Sequence, residues 1–222
     1  MTKLMGLALI VSGAAWWMAA AGAAEPAGAS ATYVTTDTKT QGTWKKVYGT
    51  DGYVIIGDAK SLPAYAQVAV ITEKGELSKE AKNLYIEHTY SGSTTDVRAM
   101  QKVTGTDRLA AYWGSYGGIT IDVNLTDTQA HRIAVYCLDW NKGKMAEKIE
   151  VLDAGTDAVL DTRKVKDFDG GQYLIWDIKG HVKLRLTTMA ESRAVLSGLF
   201  FGVAPQGQDP GEVKKPTGSD AK

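Results

Sequence analysis

Apolar side chains recur at every second residue along most of this chain, and a period of two admits strands while excluding amphipathic helices. In Gly118-Ile119-Thr120-Ile121-Asp122-Val123-Asn124-Leu125 the apolar residues alternate with polar ones. His181-Val182-Lys183-Leu184-Arg185-Leu186-Thr187 repeats the pattern, with Val182, Leu184 and Leu186 on one face. Lys148-Ile149-Glu150-Val151 and Val159-Leu160-Asp161-Thr162 are shorter examples. His131 to Trp140 departs from it by being apolar on both faces, as a central strand covered on both sides must be. Asn141-Lys142-Gly143, Asp153-Ala154-Gly155, Asp169-Gly170-Gly171 and Lys179-Gly180 punctuate these runs with turn chemistry. Short strands at this spacing predict an all-β fold, specifically an antiparallel jelly-roll-like β-sandwich. Glu73 to Lys82 is charged and poor in strand formers, and is expected as a surface loop.

The boundaries of the folded body follow from composition. Lys3 precedes an apolar stretch from Leu4 to Ala20, and Ala21-Gly22-Ala23-Ala24 supplies small residues ahead of Glu25. That order predicts a signal peptide over residues 1–24. A small-residue linker over 25–31, a sandwich domain over 32–203 and a disordered tail over 204–222 complete the expected organisation. The expected location is secreted or periplasmic, with no membrane span once the signal is cleaved, and the mature protein is expected to be a monomer. A single cysteine, Cys137, rules out an internal disulfide. It lies in Ile133-Ala134-Val135-Tyr136-Cys137-Leu138, where a buried, inert thiol is expected.

The chemistry visible in the sequence is sparse. With 25 basic against 25 acidic residues and no basic stripe, nucleic acid is not an expected partner. No G-x-S-x-G elbow occurs, and His88, His131 and His181 lack metal-ligand spacing. Two glycines in Gly52-Tyr53-Val54-Ile55-Ile56-Gly57 have phosphate-loop spacing, but Asp58 follows where such a loop needs lysine. Asp51, Asp58, Asp122, Asp139 and Asp177 are the carboxylates that could pair in a cleft, yet nothing in their spacing marks a catalytic set. The chain is therefore not expected to be an enzyme. No cofactor is expected, and a structural calcium ion pinning a loop stays open.

Aromatic residues carry more information. Trp176 shares a face with Leu174 and Ile178, and Trp140 ends the most apolar run, so both are expected in the core. Trp44 and Tyr48 lie in the polar, turn-rich stretch Thr40 to Gly49, and Trp113 and Tyr116 flank the glycine loop Trp113-Gly114-Ser115-Tyr116-Gly117-Gly118. An exposed ring can stack on the C–H face of a sugar while neighbouring polar groups read its hydroxyls. Trp44, Tyr48, Trp113 and Tyr116 are thus the candidate platforms, with Asp51 and Asn124 as candidate hydroxyl partners.

Several segments also carry a resemblance. Thr36 to Trp44 with Val47 to Tyr53, Ile119 to Asp127, Leu138-Asp139-Trp140, Glu150 to Ala154, Gly171 to Trp176 with Gly180 to Lys183, and Val195 to Phe201 together resemble a bacterial extracellular module. That module is of the galactose-binding-like, carbohydrate-binding superfamily of jelly rolls. The resemblance spans nearly the whole body and implies glycan binding. Glu73 to Lys82 departs from it as an insertion, and the module is expected to stand without an attached enzyme. The expected function is non-catalytic recognition of a polysaccharide or other glycan outside the cytoplasm. A structural or protein-interaction module of the cell envelope, or a small glycan hydrolase or lyase, is the alternative.

Overall fold

Residues 133–138, from Ile133 to Leu138, are buried without interruption, so both faces of one strand need a cover. The computed structural model shows how each is supplied, describing residues 28–71 and 86–203. The expected signal peptide, residues 25–27 of the linker, the 73–82 loop and the tail lie outside the described residues. Among the described residues there is no helix, and hence none long and apolar enough to cross a membrane.

The described residues form fifteen strands, in order: β1 (Ser30–Asp37), β2 (Tyr48–Ile55), β3 (Ala59–Ser61), β4 (Ala66–Ile71), β5 (Ile86–Thr94), β6 (Met100–Gln101), β7 (Arg108–Ser115), β8 (Ile119–Leu125), β9 (Ala130–Cys137), β10 (Ala146–Asp153), β11 (Val159–Lys166), β12 (Gln172–Lys179), β13 (His181–Thr188), β14 (Ala194–Leu196) and β15 (Gly198–Val203). β1 begins two residues inside the expected linker, because Ser30 and Ala31 pair with Lys179 and Ile178. Every pairing is antiparallel. A six-stranded sheet has the order β1-β12-β9-β15-β2-β3, and a five-stranded sheet the order β11-β10-β13-β8-β4. A four-stranded arrangement of β14, β7, β5 and the short β6 makes a third, smaller sheet.

The two larger sheets pack face to face around one apolar cluster, the arrangement of a sandwich. Alternation puts Val182, Leu184 and Leu186 of β13 into it, together with Ile119, Ile121 and Val123 of β8. From the six-stranded sheet come Ile133, Val135 and Cys137 of β9 and Leu174, Trp176 and Ile178 of β12. Trp176 is wholly buried, and its indole N–H finds an acceptor across the sandwich in Asp161 Oδ2 at 2.7 Å. Trp140, expected in the core, is instead half-buried at the rim beneath the Arg98 guanidinium, 4.8 Å from the ring centre.

The opposite face of β9 is covered by the chain between β1 and β2. Tyr136 and Tyr173 project there, and Tyr48 stacks on Tyr173 at 4.1 Å between centroids. Phe200 and Trp44 extend this aromatic layer. The covering segment is held close: Gly42 donates to Val97 and accepts from Gln101, at 2.9 and 3.0 Å. A Cβ on Gly42 would sit 1.9 Å from the Ala99 carbonyl oxygen, so only glycine permits this approach.

The third sheet closes the end of the sandwich where β9 finishes. Ser197 donates to the Tyr136 carbonyl at 2.8 Å, and the Glu147 carboxylate of β10 accepts from the Val195 backbone of β14 at 2.7 Å. Glu147 is fully buried beside the wholly buried Cys137 thiol, and its Oε1 has no hydrogen-bond partner. Burial raises its pKa to about 7, against the opposing pull of the Val195 N–H and the Cys137 thiol. The same burial holds the Cys137 thiol well above its usual range, so the expectation of an inert sulfur stands.

The native state binds this proton more tightly than the unfolded chain does. The resulting stabilisation is complete below the ordinary glutamate pKa and is lost as pH rises towards about 7. At about 1.4 kcal/mol per unit, the effect is on the order of 3 kcal/mol. Chemical denaturation across about pH 4 to pH 8 should show this fall, and Glu147→Gln, which retains an acceptor for Val195, should flatten it. An unchanged slope in Glu147→Gln would place the pH dependence elsewhere.

Candidate functional site

The six residues expected to meet a ligand are divided by the fold into three pairs, only one of which presents rings to solvent. Trp44 and Tyr48 are buried, at 5% and 1% exposure, and this corrects their reading as sugar platforms. The physical reason is that their polar surroundings are a cover packed on the outer face of β9, and acceptors on β6 and β1 meet the polar tips of both rings. Trp44 Nε1 donates to the Gln101 carbonyl at 2.8 Å, and Tyr48 Oη donates to Asp37 Oδ2 at 2.7 Å. Burial and the Asp37 carboxylate push the Tyr48 hydroxyl pKa up. At Asp37 burial works upward, but bonds from Thr40, Tyr48 and Lys39 outweigh it and lower the carboxyl pKa.

Asp51 and Asn124 lie at one end of the sandwich, apart from the exposed rings. Asp51 accepts from Tyr65 Oη at 2.7 Å, and the Tyr65 carbonyl accepts from the Thr126 backbone at 2.8 Å. Tyr65 stacks on His131 at 3.6 Å, and His131 Nε2 bonds Asp127 at 2.9 Å. Asn124 donates to Gln67 and lines an end cleft of about 780 Å³ with Asp127, Asp153, Lys179 and His181. Among the described residues, no Phe, Tyr or Trp side chain lines that cleft. The seven residues of β8 put Asn124 roughly 20 Å from the Tyr116 turn, at about 3.4 Å per residue. The two polar candidates therefore cannot serve the two exposed rings.

Trp113 and Tyr116 are at the other end, on and beyond β7. Trp113 is half-buried and Tyr116 is 53% exposed. Trp113 lines an open cleft of about 430 Å³, with Val54 to Lys60 along one side and Glu87 on the other. Its indole N–H donates to Glu87 Oε2 at 2.9 Å, since β5–β7 pairing sets these two residues directly opposite. Asp58 reaches the same cleft from the β2–β3 turn, where its Oδ2 accepts from the Val103 backbone at 2.6 Å. Gly57 makes that turn at φ +79°, and a Cβ there would fall 2.9 Å from the Ala111 methyl. The glycine thus lets the turn settle against β7 and fixes the depth of the cleft.

Each end of this cleft has its own chemistry: an indole face, two carboxylates with oxygens left to accept, and the Lys60 ammonium to donate. Glu87 was not visible as a site residue in the sequence, because its place depends on a strand register formed across 26 residues. Asp58 was visible only as the charge that argues against a phosphate loop. On the opposite face of β7, Tyr112 meets His88 and Tyr90, with centroids 5.5 and 5.1 Å away. Burial and Tyr112 raise the Tyr90 hydroxyl to about 12. Among the described residues, no group of three or more His, Cys, Asp or Glu side chains is arranged to hold a metal ion.

Compared with protein families and with curated proteins, the chain matches none.

The burial difference separates the aromatic candidates in stability. Trp44→Ala should cost about 3–5 kcal/mol as a core truncation. Trp113→Ala and Tyr116→Ala should each cost about 1 kcal/mol or less. Urea denaturation of the three variants checks this, and a Trp113→Ala loss as large as that of Trp44→Ala would make Trp113 a core residue.

Proposed function

We propose that this protein is an extracytoplasmic, non-catalytic glycan-binding module whose platform is Trp113. The observation that supports this is the half-exposed indole in the wall of an open cleft, flanked by Glu87, Asp58 and Lys60. The indole face is apolar and polarisable, and it suits the C–H face of a pyranose. Glu87 and Asp58 can accept from sugar hydroxyls, and Lys60 can donate to them. Because Trp113 Nε1 is held by Glu87, the ring orientation is set before a ligand arrives, which lowers the ordering cost of binding. The balanced charge of the chain gives a polyanionic nucleic acid no comparable surface. The resemblance to carbohydrate-binding jelly rolls agrees with this reading.

One feature favours a rival reading, a glycan hydrolase: Asp58 and Glu87 are two carboxylates in one cleft. Each already accepts a hydrogen bond from the protein, Asp58 from Val103 and Glu87 from Trp113, which suits ligand-ordering better than proton transfer.

Glycan-array screening followed by calorimetry tests the proposal. Trp113→Ala should weaken binding to the best glycan by about tenfold or more, as loss of a stacked ring would. Glu87→Gln should weaken it less, and the thermal midpoint should move little in either variant. Binding that survives Trp113→Ala unchanged would remove the cleft from the reading. Release of reducing ends by the wild type but not by Asp58→Asn would establish the hydrolase instead.

A further inference from the structure

The protein has six arginines, and five of them spend their guanidinium donors within the fold. Arg98 pairs with Asp96, Arg132 with Asp177, Arg163 with Asp161 and Arg185 with Glu150. Arg108 donates to the carbonyls of Val97 and Ala99 and to Thr43. Arg193 is different. Its Nε is buried without an acceptor, and no acidic side chain among the described residues pairs with it. One residue earlier, the Ser192 hydroxyl is also buried without a partner.

A buried donor left unpaired costs about 1–3 kcal/mol, and folded proteins rarely leave one so. Two in consecutive residues at a half-exposed position point to an acceptor supplied from outside. The guanidinium is also held in place. Its Cζ lies 4.2 Å from the centre of the exposed Tyr116 ring, opposite which it sits by the register Ala194↔Ser115. Behind it, β14 is fixed by pairing to β7 and by the bond from Val195 to Glu147. Stacking on a ring occupies the face of a guanidinium and leaves its N–H edge available, the geometry that receives a planar oxyanion. Glu191, which precedes these residues, is exposed and makes no ion pair with Arg193.

We infer that Arg193, Ser192 and Tyr116 form an oxyanion subsite on the face of β7 opposite the Trp113 cleft, which directs the protein towards glycans bearing carboxylate or sulfate groups. The inference rests on the glycan reading for the rest of the ligand, while the subsite itself needs only an oxyanion. Tyr116 is three positions beyond Trp113, an odd spacing that turns the two side chains to opposite faces, so the subsite acts apart from the Trp113 cleft. Arg193 supplies the charge and the fork, Ser192 a further hydroxyl, and Tyr116 an apolar face for the sugar that carries the anion.

Calorimetry with a neutral oligosaccharide, a uronic-acid oligosaccharide and a sulfated oligosaccharide tests this, alongside titration of sodium sulfate followed by side-chain NMR of Arg193. The wild type should prefer one of the acidic ligands. Arg193→Gln should lose about tenfold or more of that affinity, the worth of one charge-assisted bond, and leave neutral binding unchanged. Arg193→Lys, which keeps the charge without the fork, should fall between. A preference for uronate or for sulfate identifies which oxyanion the subsite takes. Equal affinity for neutral and acidic ligands, unaltered in Arg193→Gln, would overturn the inference and leave the Trp113 cleft standing. Sulfate shifts at Arg193 with no oligosaccharide bound would keep the subsite and remove the glycan reading. Silence in both experiments would overturn both.

Discussion

A strand apolar on both faces has to be covered twice, and the architecture of this protein follows from how β9 meets that demand. Its inward face meets the five-stranded sheet through Cys137, Ile133 and Val135. On its outward face Tyr173 of β12 and Phe200 of β15 join an aromatic layer that is covered by Tyr48, the first residue of β2, and by Trp44 of the irregular segment before it. A sandwich needs only the first of these covers. The second draws the chain from Asp37 to Tyr48 across the sheet and docks it against residues 97–101, from which β7 and the small third sheet continue. The Trp113 cleft lies in the angle between that small sheet and the β2–β3 turn, so the site owes its shape to the outer cover of β9.

Much of this was legible in the sequence, wherever the information was local. Alternation in β8 and β13 gave the buried face residue by residue, and the uninterrupted apolar run of β9 announced a doubly covered strand. Cys137 and Trp176 are buried as their neighbours imply. The antiparallel character of every pairing agrees with the expected sandwich. The aromatic candidates were harder, because polarity of the surrounding segment does not report exposure of the ring. Trp44 lies among threonine, glutamine and lysine, yet those residues form the outside of a cover whose inside is the indole. Asp51 and Asn124 failed as partners of the rings for another reason. Distance in the fold depends on register, and a one-dimensional reading has no access to which end of a strand faces which loop. Glu87 and Arg193 are the converse case, since each becomes meaningful only once β7 has paired with β5 and β14.

The carboxyl of Glu147 links the covers. It belongs to the five-stranded sheet, touches the end of β9 and anchors β14, so a single ionisable group sits where three sheets meet. Burying a carboxyl there is costly when charged and tolerable when protonated, which ties the cohesion of the sheet junction to solution pH. Arg193 directly precedes the strand that this carboxyl anchors, and its partner Tyr116 follows the strand paired with it.

The position of β15 has a consequence for the order of assembly. The last strand of the described residues is not at an edge of its sheet: it lies between β9 and β2, so the β2–β3 hairpin has no hydrogen-bonded route to β9 without it. A polypeptide emerging from its N-terminus can form β2–β3 and, later, β1–β12–β9, but these halves stay unjoined until Gly198 to Val203 appear. Completion of the sheet therefore waits until that strand has been made, and the two halves cannot be joined by hydrogen bonds before it.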